Sequence, residues 1–131
     1  MGGSPYVDDP TISDDADLWR RIFPKWKVLD ANQGGYRVSS AAFYDSEDGT
    51  PLSLVLASGV RETGRTAQDI IKGYDGYGVA VIQAKVPRSR QQIVVRTPEP
   101  DEPAHLSVIG PKTDSNRKAM AKAARWVLMP P

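Results

Sequence analysis

A chain of 131 residues, 40% hydrophobic and 25% charged with a formal net charge of +1, has the composition of one globular domain with a single core and little room for a second. Zero cysteines and a single histidine exclude disulfides, thiolate metal sites, a cysteine nucleophile and a histidine-rich metal centre. No apolar run approaches the roughly 20 residues that cross a bilayer, and MGGSPYVDDP lacks the basic end and apolar centre of a secretory signal, so a soluble cytoplasmic protein with no membrane contact is expected.

Residues 1–13 read as a flexible acidic lead, with MGGS as a cloning scar, ahead of one α+β domain over 14–131. In DDADLWRRIF the acids come first and Leu18, Trp19, Ile22 and Phe23 recur at helical spacing, which predicts a short helix over 15–23 that Pro24 ends. WKVLD is a brief strand with Trp26 and Val28 on one face, and NQGG turns the chain. The stretch YRVSSAAFYD alternates as a strand with neither face purely apolar. SEDGTP is a turn and PLSLVLA a buried strand, so 36–57 is expected to form a hairpin.

RTAQDIIKGY predicts a helix over 66–73, with Thr66 and Asp69 as a capping box and Gly73 at the left-handed end. GYGVAVIQAKV, QQIVVRT and HLSVIG are three further strands, expected to pair with their chain neighbours and hence antiparallel. DSNRKAMAKAARWVL predicts a C-terminal helix capped by Asp114 or Ser115, with an apolar stripe of Met120, Ala123, Ala124, Val127 and Leu128, and Trp126 in the core. The sum is an α+β fold with a mostly antiparallel sheet of about five strands, packed by the C-terminal helix and one or two short helices.

Three groups of residues bear on chemistry. Arg37, Ser39 and Ser40 either grip a phosphate or carboxylate, through a guanidinium fork and adjacent hydroxyls, or form the wet side of an edge strand. His105 is the only side chain that ordinarily titrates near neutrality, with Glu99, Asp101 and Glu102 close enough in sequence to orient it. It is thus either a catalytic proton carrier or a structural residue at a strand start. Lys112, in GPKTDSNRK, sits where a helix start suits phosphate, without the glycine spacing of a P-loop.

Charge is segregated along the chain. Asp8, Asp9, Asp14, Asp15 and Asp17 precede the first basic residue, Arg20, whereas Lys112, Arg117, Lys118, Lys122 and Arg125 face only Asp114. Arg117, Lys118, Lys122 and Arg125 are then a partner-binding face, or a solvated one against which the acidic head leans. Aromatics are not interleaved with these charges, so nucleic acid is not favoured as the partner.

LWRRIFP, GGYRVSSAAF, PEPDEPAHLSVIG and PKTDSNRKAMAKAARW together resemble a group of short bacterial and phage proteins with an R-x-S-S-x-x-F strand and a P-x-H segment. That group carries no established activity, so the resemblance, which runs from Leu18 onward, implies an intact fold. A weaker likeness is to the ADP-ribosyltransferase-like toxin domains that consume NAD. It implies Arg20 on the NAD phosphates, Gly34, Gly35 and Arg37 at the nicotinamide, Ser53 in the polar strand role and Glu62 as the acid; the E-x-E of that family is absent here. The residues themselves call for no cofactor. Two functions of different class follow: a non-catalytic module that binds a protein partner through segregated charge, or an enzyme or sensor for a nucleotide or other phosphorylated ligand.

Overall fold

The computed structural model describes residues 6–131. Strands β1 (Asp17–Ile22), β4 (Leu52–Leu56), β5 (Gly78–Gln83), β6 (Ile93–Arg96), β7 (His105–Ile109) and β8 (Arg125–Leu128) form one sheet. Its order is β6-β7-β4-β1-β5-β8, and every neighbouring pair is antiparallel. Strands β2 (Lys27–Leu29) and β3 (Tyr36–Val38) make a separate hairpin. The helices are α1 (Ala57–Glu62), α2 (Ala67–Ile70), α3 (Lys85–Arg88) and α4 (Asp114–Ala123), with 3-10 turns at Pro24–Trp26 and Ser40–Phe43. The class is α+β, as expected, with a larger sheet than the five strands read from sequence.

The predicted helix over 15–23 is instead β1. This strand lies inside the sheet, paired on both edges, and a core forms on each of its faces. Leu18 and Ile22 enter one core with Phe43, Leu106 and Met120, while Trp19 enters a second core with Val60 and Ile70 of the opposite face. Apolar residues on both faces of a strand produce the i, i+1, i+4 spacing that also describes a helix stripe.

The hairpin expected over 36–57 does not form. Strand β3 pairs with β2 around the NQGG turn, where Asp30 accepts from the Asn32 and Gln33 amides and Gly34 and Gly35 take φ of 78° and 71°. It stops at Val38 because Ser39 Oγ accepts the Ala41 amide at 3.1 Å and opens the 3-10 turn that buries Ala42 and Phe43. Strand β4 pairs with β1 and β7. Sequential pairing holds for β6 with β7 and β2 with β3; the other ladders join distant segments.

Helix α2 keeps its Thr66–Asp69 capping box. Helix α4 ends at Ala123, earlier than expected, because Ala124 turns extended and Arg125–Leu128 pairs with β5. Helix propensity here loses to a sheet edge that offers open backbone partners. Trp126 is only partly buried, and its indole donates to the Tyr36 carbonyl. The α4 cap is Thr113, which accepts the Asn116 amide at 3.1 Å, in place of Asp114 or Ser115. Thr113→Ala should therefore cost about 1 kcal/mol in urea denaturation, and Ser115→Ala much less; equal costs would refute the assignment.

Of the acidic lead, residues 1–5 lie outside the described residues. The part from 6 to 13 is attached, not free: Ile12 is 2% exposed within the main core, and Asp9 N–H donates to the Val94 carbonyl of β6. The acids meet Lys85, Arg88 and Arg96 and not the basic residues of α4. No helix among the described residues is long and apolar enough to cross a membrane.

Candidate ligand-binding site

The sheet is split at its centre. Strand β1 pairs with β5 along all of Asp17–Ile22, and β4 with β7 along Leu52–Val55. Between β1 and β4, however, pairing covers only Leu18 with Leu56 and Trp19 with Val55. Past Trp19 the two strands part like a fork. Consecutive strand residues face opposite sides, so Arg20 and Arg21 would ordinarily serve different layers. The fork lets both reach one cavity of about 210 Å³, whose walls also include Trp19, Trp26, Ser53, Ile70, Tyr74, Tyr77 and His105.

Arg20 takes the place of the missing strand ladder. Its Nη1 donates to the Ser53 carbonyl and its Nε to the Ala42 carbonyl, each at 3.0 Å, and the guanidinium lies 5.4 Å from the Trp26 ring centre. Its Nη2 has no hydrogen-bond partner among the described residues. Arg21 is anchored by Nε on the Ile70 carbonyl and lies 4.5 Å from the Tyr74 ring centre, which leaves both of its terminal nitrogens without partners among the described residues. Neither arginine forms an ion pair with a carboxylate of the described residues. Burial, followed by the adjacent Arg21 charge, pushes the Arg20 guanidinium below its ordinary value to about 10, with Tyr77 acting the other way.

The aromatic walls support one another edge to face. Phe23 meets Trp26 and Tyr77 at ring separations of 5.8 and 5.7 Å, and Tyr74 meets Tyr77 at 5.2 Å, the arrangement that ring quadrupoles favour. Among the described residues the Ser53 hydroxyl reaches only the Pro51 carbonyl, at 3.5 Å, which leaves it available to a ligand. A second, wider depression of about 820 Å³ shares Arg20 and Trp26 with the first and is rimmed by Tyr44, Asp45, Glu47 and Asp48.

His105 also lines the fork cavity, but it is oriented otherwise than expected. Its Nδ1 lies 2.8 Å from the Thr97 carbonyl and 2.9 Å from Thr97 Oγ1. A carbonyl only accepts, so Nδ1 carries the hydrogen and Nε2 the lone pair in the neutral ring. Thr97 Oγ1 in turn meets Ser107 Oγ at 2.8 Å. Of the acids proposed to orient His105, Glu99 stands 3.7 Å from Nε2, whereas Glu102 is committed to Arg65 through two bonds of 2.7 Å.

The other anticipated residues lie elsewhere. Arg37 is exposed on β3 with one long bond to its neighbour's carbonyl, Ser39 is consumed as a cap and Ser40 sits in the turn after it. None of the three lines the fork cavity, so they do not converge with His105. Lys112 is turned inward with its side chain 5% exposed, donating to the Val108 and Gly110 carbonyls and to Asp45 at 2.9, 3.1 and 3.0 Å. Burial pushes its ammonium down and Asp45 opposes that.

The basic face expected on α4 shrinks likewise. Arg117 is buried, bonded to the Lys112 carbonyl and Asp114, with its guanidinium 3.7 Å from the Tyr44 ring centre. Lys118, Lys122 and Arg125 alone of that group are exposed. Of the positions carried over from the transferase likeness, Arg20 and Ser53 line the cavity, Gly34 and Gly35 make the β2–β3 turn, and Glu62 is exposed at the end of α1.

Sequence reasoning missed Arg21, Trp19, Trp26, Tyr74 and Tyr77 as cavity walls. The available signal was a pair of adjacent arginines inside the apolar run LWRRIF, which a helical reading places in solvent. Among the described residues no group of three or more His, Asp or Glu is arranged to hold a metal ion. No family model matches the chain, and neither a curated protein nor a solved structure shows significant similarity to it.

Proposed function

We propose that this domain binds a small phosphorylated ligand bearing a planar ring, of the mononucleotide class, in the cavity at the β1/β4 fork. The observation that carries this reading is the pair Arg20 and Arg21, two neighbouring cations in one cavity with no ion pair to a carboxylate of the described residues, Glu102 acting on Arg21 only at longer range. Holding Arg20 charged there is unfavourable by about 3 kcal/mol on the usual conversion of such a displacement. A phosphoryl group set against Arg20 Nη2 and the free end of Arg21 offsets that cost with charge-assisted hydrogen bonds. Where the two depressions meet, the rings of Trp26 and Tyr44 offer faces and edges to a flat heterocycle.

Size narrows the ligand. At about 210 Å³ the fork cavity falls below the range of drug-sized sites, roughly 300–1,000 Å³. One phosphoryl group and its nearest atoms fill it, and the remainder of the ligand extends past Arg20 and Trp26 into the wider depression, where sugar hydroxyls meet carboxylate acceptors. His105, fixed by Thr97, is the residue at this site suited to moving a proton if the ligand is transformed.

Titration calorimetry at constant ionic strength, with adenosine 5′-monophosphate, ribose 5-phosphate and inorganic phosphate as probes, tests the reading. Binding of the nucleotide is expected, and Arg21→Gln should weaken it about tenfold, the loss of one charge-assisted bond. Absence of heat from all three probes at millimolar concentration, or affinity indifferent to both Arg20→Gln and Arg21→Gln, would sink it. A phosphorus NMR time course on the same samples reads turnover, with His105→Ala as the comparison.

A further inference from the structure

Strand register puts His105 on the same face of the sheet as Arg21. Trp19 is paired with Val55 and Val55 with His105, so these three form one row across β1, β4 and β7. Arg21 stands two residues beyond Trp19 and therefore on the same side of its strand. The guanidinium and the imidazole both line the fork cavity from that side.

The imidazole is held at one nitrogen and open at the other. Thr97 donates its amide to the His105 carbonyl at 3.1 Å and accepts the ring's Nδ1–H on its own carbonyl at 2.8 Å. Turning the ring over would forfeit that bond. Nε2 faces only Glu99, 3.7 Å away and 52% exposed, so it has an acid within ion-pair range but no hydrogen-bond partner among the described residues. The other charged and titratable groups around the ring are Arg20 and Arg21 from β1, Tyr74 and Tyr77 after α2, Arg61 of α1, which lies over the Trp19 ring, and Glu102, which is tied to Arg65.

We infer that His105 is a third phosphoryl-binding group of the fork cavity, one that donates only after taking up a proton, and that it selects a terminal phosphomonoester over a diester. This rests on the reading of the cavity as a phosphoryl site. In the neutral ring Nε2 is a lone pair, so it meets a phosphoryl oxygen only with a proton between them. That proton comes from solvent or from the monoanion of the ligand, and the equilibrium is the same for both. A dianion set against Arg20 and Arg21 favours it, because opposite charge within a few ångströms stabilises imidazolium. Three terminal oxygens and a second negative charge then match Arg20 Nη2, the free end of Arg21 and His105 Nε2. A diester has two such oxygens and a single charge, and holds a proton at Nε2 less well.

The lone histidine makes the test direct, since long-range proton–nitrogen NMR reports its tautomer and titration without assignment. The free protein at about pH 8, where an ordinary histidine is neutral, should carry its ring hydrogen on Nδ1. Adenosine 5′-monophosphate should raise the pH at which the ring titrates. Calorimetry in two buffers of different ionisation enthalpy should then show net proton uptake, with affinity about tenfold higher at about pH 6.5 than at about pH 8. His105→Gln should flatten that pH dependence, and the methyl ester of the nucleotide, a diester, should bind at least about tenfold more weakly than the parent at the lower pH. A free ring with its hydrogen on Nε2 overturns the inference. So does nucleotide binding without proton uptake, a pH dependence that survives His105→Gln, or equal affinity for the methyl ester, and each of these leaves the cavity's phosphoryl reading standing. Failure of the nucleotide to bind at either pH overturns both.

Discussion

Replacing Glu102 with alanine is expected to lower the unfolding free energy by about 3 kcal/mol at neutral pH, the lower end for breaking a buried ion pair because Arg65 retains contact with water. Glu102 is 9% exposed at its side chain against 29% for Arg65. It holds both terminal nitrogens of that arginine at 2.7 Å and accepts the Ala104 amide as well. The pair ties the segment between α1 and α2 to the loop that leads into β7 and His105. Its loss therefore loosens one wall of the fork cavity together with the fold.

The effect depends on pH with a defined sign. Hydrogen bonds from Arg65 hold the Glu102 carboxyl below its ordinary value of 4.5, burial working against them. Above that value both folded and unfolded chains are ionised and the whole gain is present. As pH falls below it the unfolded chain takes up the proton first, and the gain disappears as the folded carboxyl follows. Urea denaturation followed by tryptophan fluorescence should give a gap between the two proteins that is wide at neutral pH and narrows steadily below pH 4.5. A gap that stays constant into acid would show that the charge of Glu102 contributes nothing.

Gly78→Ala should cost a comparable amount, about 3 kcal/mol, at the upper end for forcing an added carbon into a packed site. A Cβ at this position would stand 2.2 Å from the Leu128 carbonyl oxygen, 2.5 Å from Pro130 Cδ and 2.8 Å from Pro130 N. These are backbone and ring atoms with no rotamer to adjust, so β8 must move. Strand β8 carries the register Val79 with Leu128, Ala80 with Trp126 and Val81 with Arg125. It also steadies the β2–β3 hairpin, through the Trp126 indole on the Tyr36 carbonyl and Lys27 on the Pro130 carbonyl. Amide exchange should accelerate in β8 and β3 before it does in β4 and β7. Unchanged protection in β8 would contradict this account of the C-terminus.

Local chemistry made several elements legible before any fold was known. The Thr66–Asp69 box, the NQGG turn and the apolar runs of β4, β5, β6 and β7 depend on backbone groups and side chains within a few residues of one another, and each stands where sequence placed it. The α+β class followed from these parts. His105 could be singled out because one histidine among 131 residues needs no spatial information to be noticed.

Other features were decided by segments far apart in the chain. The apolar residues of DLWRRI are buried as a strand only because β4 and β5 flank it and helices cover it from two sides; its spacing alone fits a helix as well. Arg125–Leu128 leaves the helical state because β5 offers it an edge, and the acids of residues 8–14 find Arg88 and Arg96 only once β6 is the outermost strand. The site is the clearest instance. Arg20 and Arg21 are adjacent in the sequence and would normally point apart; they share a cavity because the ladder between β1 and β4 stops after two residue pairs. A strand's own residues fix the alternation of its side chains, whereas the place where it separates from its neighbour is a tertiary matter: here the Arg20 side chain, bonded to the Ala42 and Ser53 carbonyls, stands where the ladder ends.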